Sequence, residues 1–164
     1  MELWDAYDGK GNPLGFDLVR GEPIPPGCCH VVAEIAVRHA DGSWLLTQRD
    51  WGKPNHPGKW EMGAGGSVLK GESWPDGARR ELREETGIQA DALEPIFTLF
   101  QPEKHLIYAG YLCRYAGDKE AVILQPGETI GWRWLATREL KAFAASPECI
   151  IGQRRRWQDY LKQI

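Results

Sequence analysis

One segment of this 164-residue chain carries most of the structural information: residues 63–88, GAGGSVLKGESWPDGARRELREETGI. Its first half is rich in glycine, which lets a backbone take left-handed angles and approach another group closely, and predicts a loop. Ser73 is a good helix N-cap, helical spacing runs from it to Thr86, and Gly87 supplies a C-terminal stop. The segment therefore predicts a glycine loop followed by a helix.

The predicted helix carries an unusual concentration of carboxylates. Glu81, Glu84 and Glu85 fall within an arc of about 100° on one face and within about 6 Å along the axis. A solvated charged face would place Lys or Arg four residues after each Glu, and none is found there. Like charges at this spacing cost a few tenths of a kcal/mol each. A bound divalent cation would offset that repulsion, and oxygen-only ligands favour Mg²⁺ or Mn²⁺ over zinc.

Outward from this segment, strands and helices alternate within one domain spanning residues 1–164. A β-hairpin is predicted over residues 30–38 and 44–48, with a turn at Asp41 and Gly42, and a cationic loop over residues 49–59. Further strands are expected at residues 3–7, 60–62, 93–100, 106–114, 121–125 and 130–135, and helices at residues 137–145 and 149–164. This mixture predicts an α/β or α+β layered domain with a mixed sheet.

Composition excludes several classes of protein. With 42% hydrophobic and 26% charged residues the chain is neither disordered nor fibrous. The net charge of −3 gives no overall positive field for a long nucleic acid, and no apolar run is long enough to span a membrane. The N-terminus lacks a signal-peptide pattern, and four cysteines match neither a disulfide framework nor a zinc site. We expect a cytoplasmic protein with reduced thiols.

The segment also matches a known motif at every position. Gly66, Glu72, the run Arg80-Glu81-Leu82, the pair Glu84-Glu85, and Gly87-Ile88 occur at the spacing of the Nudix hydrolase signature, and the chain resembles that family on these residues. The resemblance implies an α/β/α sandwich with a mixed β-sheet. It also implies Mg²⁺- or Mn²⁺-dependent hydrolysis of a diphosphate linkage in a small nucleoside-diphosphate or related diphosphate ester, by water attack at phosphorus.

The resemblance also assigns roles to individual residues. It implies metal ligation by Glu81, Glu84, Glu85 and the Gly65 carbonyl, with Arg80 and Glu72 orienting the carboxylates. The general base is Glu81 or, from outside the signature, Glu128, which stands six residues before Trp134. Cationic side chains of the loop suit a small anionic substrate, so diphosphate contacts are expected from Arg49 and Lys59, and Lys53 could add another.

In overall pattern the chain is most similar to the family branch that includes type I isopentenyl-diphosphate isomerase. That chemistry needs a Cys and a His, and the corresponding positions here hold Gly65 and Ser67, so hydrolysis is favoured. An isomerase-like enzyme and a non-catalytic nucleotide sensor remain as alternatives. His30 matches a metal position of that branch, but we expect structural hydrogen bonding there. A homodimer is possible because many relatives are dimers.

Two further features stay outside the signature. Arg154, Arg155 and Arg156 lie on a helix whose apolar stripe should pack on the sheet, and we expect these arginines to point mostly to solvent. The signature does not distinguish between substrate classes, so we retain four: a nucleotide sugar, a dinucleoside polyphosphate, an oxidised nucleotide and a prenyl diphosphate.

Overall fold

A computed structural model describes all residues, 1–164, in nine strands and three α-helices. The strands are β1 (Leu3–Asp8), β2 (Pro13–Val19), β3 (Cys28–His39), β4 (Trp44–Arg49), β5 (Trp60–Met62), β6 (Ala64–Ser67), β7 (Glu94–Gln101), β8 (Leu106–Tyr115) and β9 (Thr129–Leu135). The helices are α1 (Trp74–Thr86), α2 (Thr137–Ala144) and α3 (Ile151–Leu161), and single 3₁₀ turns occur at Pro102–Lys104 and Lys119–Ala121. None of these helices combines the length and apolarity that a bilayer span requires.

Strand β3 is the centre of a mixed sheet. It runs parallel to β8 and antiparallel to β1, β4 and β6, while β4 continues the sheet through β5 and β9. Successive side chains of a strand point to opposite faces. Ile35 accordingly packs in a core with Leu82 of α1, and Ala36 packs in a second core with Trp157 of α3. The sheet thus lies between α1 and the α2/α3 pair, which confirms the predicted α/β/α sandwich.

Helix α1 forms where its capping residues predict. The Ser73 hydroxyl accepts a hydrogen bond from the Asp76 amide at 3.2 Å, and Gly87 closes the helix in the left-handed region at φ 73°. Ala78 and Leu82 are fully buried against the sheet. Packing of this one face fixes the rotation of the helix, so the carboxylates follow the edge of α1 next to β6.

Three segments differ from the sequence-based expectations. Residues 121–125, expected as a strand, are not one: Val122 packs in the core, and the Ile123 amide donates to the Thr86 carbonyl at the end of α1, so no neighbouring strand is engaged. Strand β2 was not predicted, because Pro13 and Gly15 interrupt its pattern; it forms by pairing with β1. Strand β6 lies inside the predicted glycine loop and forms by pairing with β3.

Candidate functional site

A polar cavity of about 580 Å³ opens beside α1. It is bounded by β3, β5, β6, the loop 50–59, the segment before β9 and the start of α3, and only five of its 25 lining residues are hydrophobic. Acidic groups outnumber the Lys and Arg side chains. The acids are Glu2, Glu34, Glu61, Glu81, Glu84, Glu85 and Glu128, and the Lys and Arg residues are Arg20, Arg49, Lys53, Arg80 and Arg156.

Arg80 organises the carboxylates of α1. Its Nε and Nη2 atoms donate to the two Glu72 oxygens at 2.7 and 3.0 Å, and Nη2 also donates to the Ser67 carbonyl at 2.9 Å. Its Nη1 atom donates to Glu81 at 2.7 Å and to Glu84 at 3.2 Å. Every guanidinium nitrogen is therefore engaged, and such an arrangement fixes both rotamer and orientation. Arg80 thus holds Glu81 and Glu84, and Glu72 holds Arg80.

Among these carboxylates, Glu85 is the buried one whose negative charge has the fewest partners. It is buried, and its one recorded partner is the Gly65 amide, which donates to Oε2 at 3.1 Å. Burial raises the pKa of Glu85 well above its usual range, and the neighbouring charge of Glu61 raises it further. Removing a carboxylate from water without a cationic partner is unfavourable. Glu85 is thus a group whose charge the protein alone does not balance.

Glu81 is packed against the backbone of β6. A Cβ built on Gly66 would overlap the Glu81 carboxyl group, so this position has room only for glycine while Glu81 stays in place. Burial raises the pKa of Glu81, and the hydrogen bond and charge of Arg80 oppose that increase. The signature glycine therefore has a physical reason here: it leaves the space into which the Glu81 carboxyl group folds.

Glu61 is a site residue that the sequence reasoning did not find. It lies on the short strand β5, its side chain is 12% exposed, and it accepts a hydrogen bond from Arg49 Nη1 at 3.0 Å. Burial raises the pKa of Glu61, and the Arg49 charge acts in the opposite direction. The sequence did offer one signal, a Glu between Trp60 and Met62. In a three-residue strand the middle side chain points to the opposite face from its two neighbours, so Glu61 faces away from Trp60 and Met62.

Four residues of the cationic loop 49–59 line the cavity: Arg49, Lys53, Asn55 and His56. Arg49 donates to Glu61 and also, through Nε, to the Asn55 carbonyl at 3.1 Å, and Lys53 Nζ contacts the Glu128 carboxylate. Glu128 therefore lines the cavity as expected, but with its charge paired to Lys53. Of the expected substrate contacts, Arg49 and Lys53 line the cavity.

Lys59 is not brought to the cavity. Its Nζ donates to the Pro147 carbonyl at 2.6 Å, outside the lining residues. His30 is also elsewhere: it is buried, stacks on Trp4 at a centroid distance of 3.9 Å, and its Nδ1 has no hydrogen-bond partner. Burial lowers the pKa of His30 to about 4, so the ring is neutral at physiological pH. We expected structural hydrogen bonding at His30; the contact found is stacking on Trp4, and Nδ1 makes no hydrogen bond.

The donor set suits a hard divalent cation. Glu81, Glu84 and Glu85 offer only oxygen ligands, and Mg²⁺ and Mn²⁺ favour such ligands. No three acidic, histidine or cysteine side chains are gathered tightly enough to be a complete metal site by themselves, and Arg80 engages both Glu81 and Glu84. The buried, weakly compensated charge of Glu85 beside them is the observation that fits a cation.

Known proteins of one family are similar to this chain in sequence. The sequence model of the NUDIX domain matches residues 30–151. An uncharacterised Nudix hydrolase of Listeria monocytogenes is 36% identical over 91 residues, covering 56% of this chain and 54% of that protein. A Nudix hydrolase of Deinococcus radiodurans is 29% identical over 124 residues, covering 74% of this chain and 71% of that protein.

Solved structures show the same fold. A Deinococcus radiodurans crystal structure superposes with a TM-score of 0.71 at 25% identity, covering 89% of this chain and 90% of the other. A MutT protein of Methanosarcina mazei gives a TM-score of 0.64 at 22% identity, covering 82% and 94%. The chain belongs to the Nudix family. Its match spans about half the length of the Listeria relatives.

Proposed function

We propose that the chain is a Mg²⁺- or Mn²⁺-dependent hydrolase that cleaves a diphosphate linkage in a small nucleoside-diphosphate or related diphosphate ester. The observation that supports this most is the carboxylate cluster of α1, in which buried Glu85 has a single backbone hydrogen bond and a neighbouring acid in Glu61. A cluster that is electrostatically unfavourable by itself is typical of a site built for a cation and an anionic ligand.

In this proposal Glu84, Glu85 and the Gly65 carbonyl hold the cation, and Glu81 lies beside them as the general base. When bound, the cation neutralises charge on the diphosphate oxygens and makes a water molecule easier to deprotonate. Arg80 fixes the Glu81 and Glu84 carboxylates, and Glu72 fixes Arg80. Arg49 is placed to contact a diphosphate oxygen, because its Nη2 group takes part in neither of the hydrogen bonds that hold the side chain.

We propose Glu81 rather than Glu128 as the general base. Burial raises the pKa of Glu81 against the opposing charge of Arg80, which is the direction that makes a carboxylate a better proton acceptor. The Glu128 carboxylate contacts Lys53, whereas Glu81 lies on α1 beside the carboxylates proposed to hold the cation. In this assignment Glu81 accepts the proton of the attacking water, and the Lys53–Glu128 pair holds the loop 50–59 against the segment before β9.

The test is a Mg²⁺-dependent screen of nucleotide sugars, dinucleoside polyphosphates, oxidised nucleotides and prenyl diphosphates in ¹⁸O-labelled water. We expect phosphorylated products from at least one class, with the label on a product phosphorus and no turnover in EDTA. Interconversion of isopentenyl and dimethylallyl diphosphates without phosphate release would instead establish an isomerase. Nucleotide binding without turnover of any class would establish a sensor. Either result contradicts the proposal.

We also propose a cytoplasmic location and a small-molecule partner. All four cysteines are free thiols buried in the fold. Burial raises the pKa of Cys113 and of Cys149 to about 11, which keeps both thiols protonated and unreactive at neutral pH. The acidic cavity and the net charge of −3 suit a small ligand bound with a cation better than a long nucleic acid. A homodimer stays a prediction.

A further inference from the structure

Arg156 is buried in the wall of the cavity that α3 forms. The expectation that it points to solvent is wrong: its side chain is 13% exposed, and its Nε lies 3.1 Å from each oxygen of Glu34 on β3. Its Nη2 atom also contacts Glu34, and Trp157 Nε1 donates to the same carboxylate at 3.0 Å. The ion pair therefore joins α3 to the central strand across the face of the sheet.

The guanidinium group is fixed on a second side by Tyr108. Arg156 Cζ lies 3.8 Å from the centroid of the Tyr108 ring, which is a close cation–π contact. A planar group held by a two-pronged carboxylate pair and by an aromatic face has little rotational freedom. The N–H groups of Arg156 that do not bind Glu34 therefore point in a fixed direction.

The Nη1 atom of Arg156 takes part in none of the hydrogen bonds to Glu34. The neighbouring position in α3 is Gly152, which also lines the cavity. A Cβ added to Gly152 would lie 3.0 Å from Nη1, closer than a normal carbon–nitrogen contact. The glycine therefore leaves the Nη1 edge of Arg156 uncovered on the cavity side.

Resting on the proposed function, we infer that Arg156 is a specificity-determining residue whose Nη1 donates to an uncharged oxygen acceptor in the part of the substrate beyond the diphosphate. Glu34 already balances the positive charge, so the site suits a neutral acceptor rather than a further phosphate. A sugar hydroxyl and a nucleobase carbonyl both supply that chemistry. The alkyl chain of a prenyl diphosphate supplies none, and the strongly polar lining of the cavity agrees with this choice.

The test is Gly152→Ala, which places a methyl group against Nη1 while both side chains of the Glu34–Arg156 pair stay in the protein. Alanine is a better helix former than glycine, so the thermal midpoint should not fall. Affinities in Mg²⁺ are measured by calorimetry for UDP-glucose, UDP and isopentenyl diphosphate, with KM and kcat for those that turn over. We expect Kd and KM for UDP-glucose to rise about 10- to 100-fold with kcat little changed, the range for losing a charge-assisted hydrogen bond. Binding of isopentenyl diphosphate should be unchanged.

The second arm identifies the source of the acceptor, and a neighbouring variant serves as control. An equal loss for UDP and UDP-glucose places the acceptor in the uridine moiety, whereas a loss confined to UDP-glucose places it in the hexose. Ile151→Ala alters the adjacent exposed residue, which does not line the cavity, and should change no affinity. Arg156→Lys keeps a cation beside Glu34 but removes Nη1, and should reproduce the Gly152→Ala loss.

Two results overturn this inference while leaving the proposed function intact. One is wild-type affinity for UDP-glucose in both the Gly152→Ala and the Arg156→Lys variants. The other is a wild-type protein that binds isopentenyl diphosphate and not UDP-glucose. The proposed function fails on a separate result, the absence of Mg²⁺-dependent turnover in every substrate class of the screen described above.

Discussion

Replacing Glu85 by Gln is expected to abolish turnover and, in the metal-free protein, to raise the thermal midpoint. Gln keeps the shape of the side chain and removes a buried charge that has one backbone hydrogen bond and is repelled by Glu61 and Glu81. Losing a cation ligand removes several kcal/mol of transition-state stabilisation, about a thousandfold or more in kcat. Opposite changes in activity and stability are typical of a residue kept for function.

The measurements are steady-state kinetics in Mg²⁺ and thermal unfolding in EDTA. Glu94→Gln is the matched control, since this exposed acid on β7 pairs with Arg114 at 2.9 Å and does not line the cavity. It should leave both quantities close to wild type. A Glu85→Gln variant that retains wild-type turnover would show that Glu85 is not a ligand, and one that unfolds at a lower temperature would show that its charge is compensated.

The second large effect is expected from Gly66→Ala. The new methyl group would occupy the space of the Glu81 carboxyl group, so Glu81 must leave its position and its hydrogen bond to Arg80. Displacing a catalytic group by about 1 Å can reduce turnover about a hundredfold. We expect a loss of kcat of that order. Circular dichroism should still show a folded protein, because the displaced Glu81 side chain lies beside a cavity into which it can move.

Gly131→Ala provides the comparison for this variant. Gly131 lies in β9, where a Cβ would meet Gln48 Oε1 at 3.2 Å, at the end of a flexible side chain outside the cavity lining. This variant should keep wild-type kcat. Equal activity of Gly66→Ala and wild type would mean that catalysis does not need the Glu81 carboxyl group in its position against Gly66.

The parts of the fold that sequence predicted are those fixed by local signals. Ser73 begins α1 by accepting a hydrogen bond from a free backbone amide, and Gly87 ends it by adopting a left-handed backbone conformation. The carboxylates of α1 share a face because of helical periodicity alone. Residues 121–125 show the limit of such signals. Their run of four consecutive apolar residues resembles a buried strand, yet Val122 packs in the core while the backbone pairs with the end of α1.

The parts that sequence did not predict depend on contacts between distant residues. Arg156 meets Glu34 across 122 positions of the chain, so an arginine run on a helix gave no indication of a buried partner. Glu61 enters the cavity because β5 pairs with β4, and Lys59 leaves it because Pro147 offers a carbonyl acceptor. In each case the partner, rather than the residue type, decides which side chain reaches the site.

Binding of Mn²⁺, followed by the loss of the free-ion EPR signal as protein is added, tests whether the α1 carboxylates form a cation site. Catalysis and substrate are not needed for this measurement. Wild-type protein should remove the free-ion signal, and a Glu84→Gln/Glu85→Gln double variant that remains folded should leave most of it. Equal binding by the two proteins, or no binding by wild type, would contradict a metal site on α1.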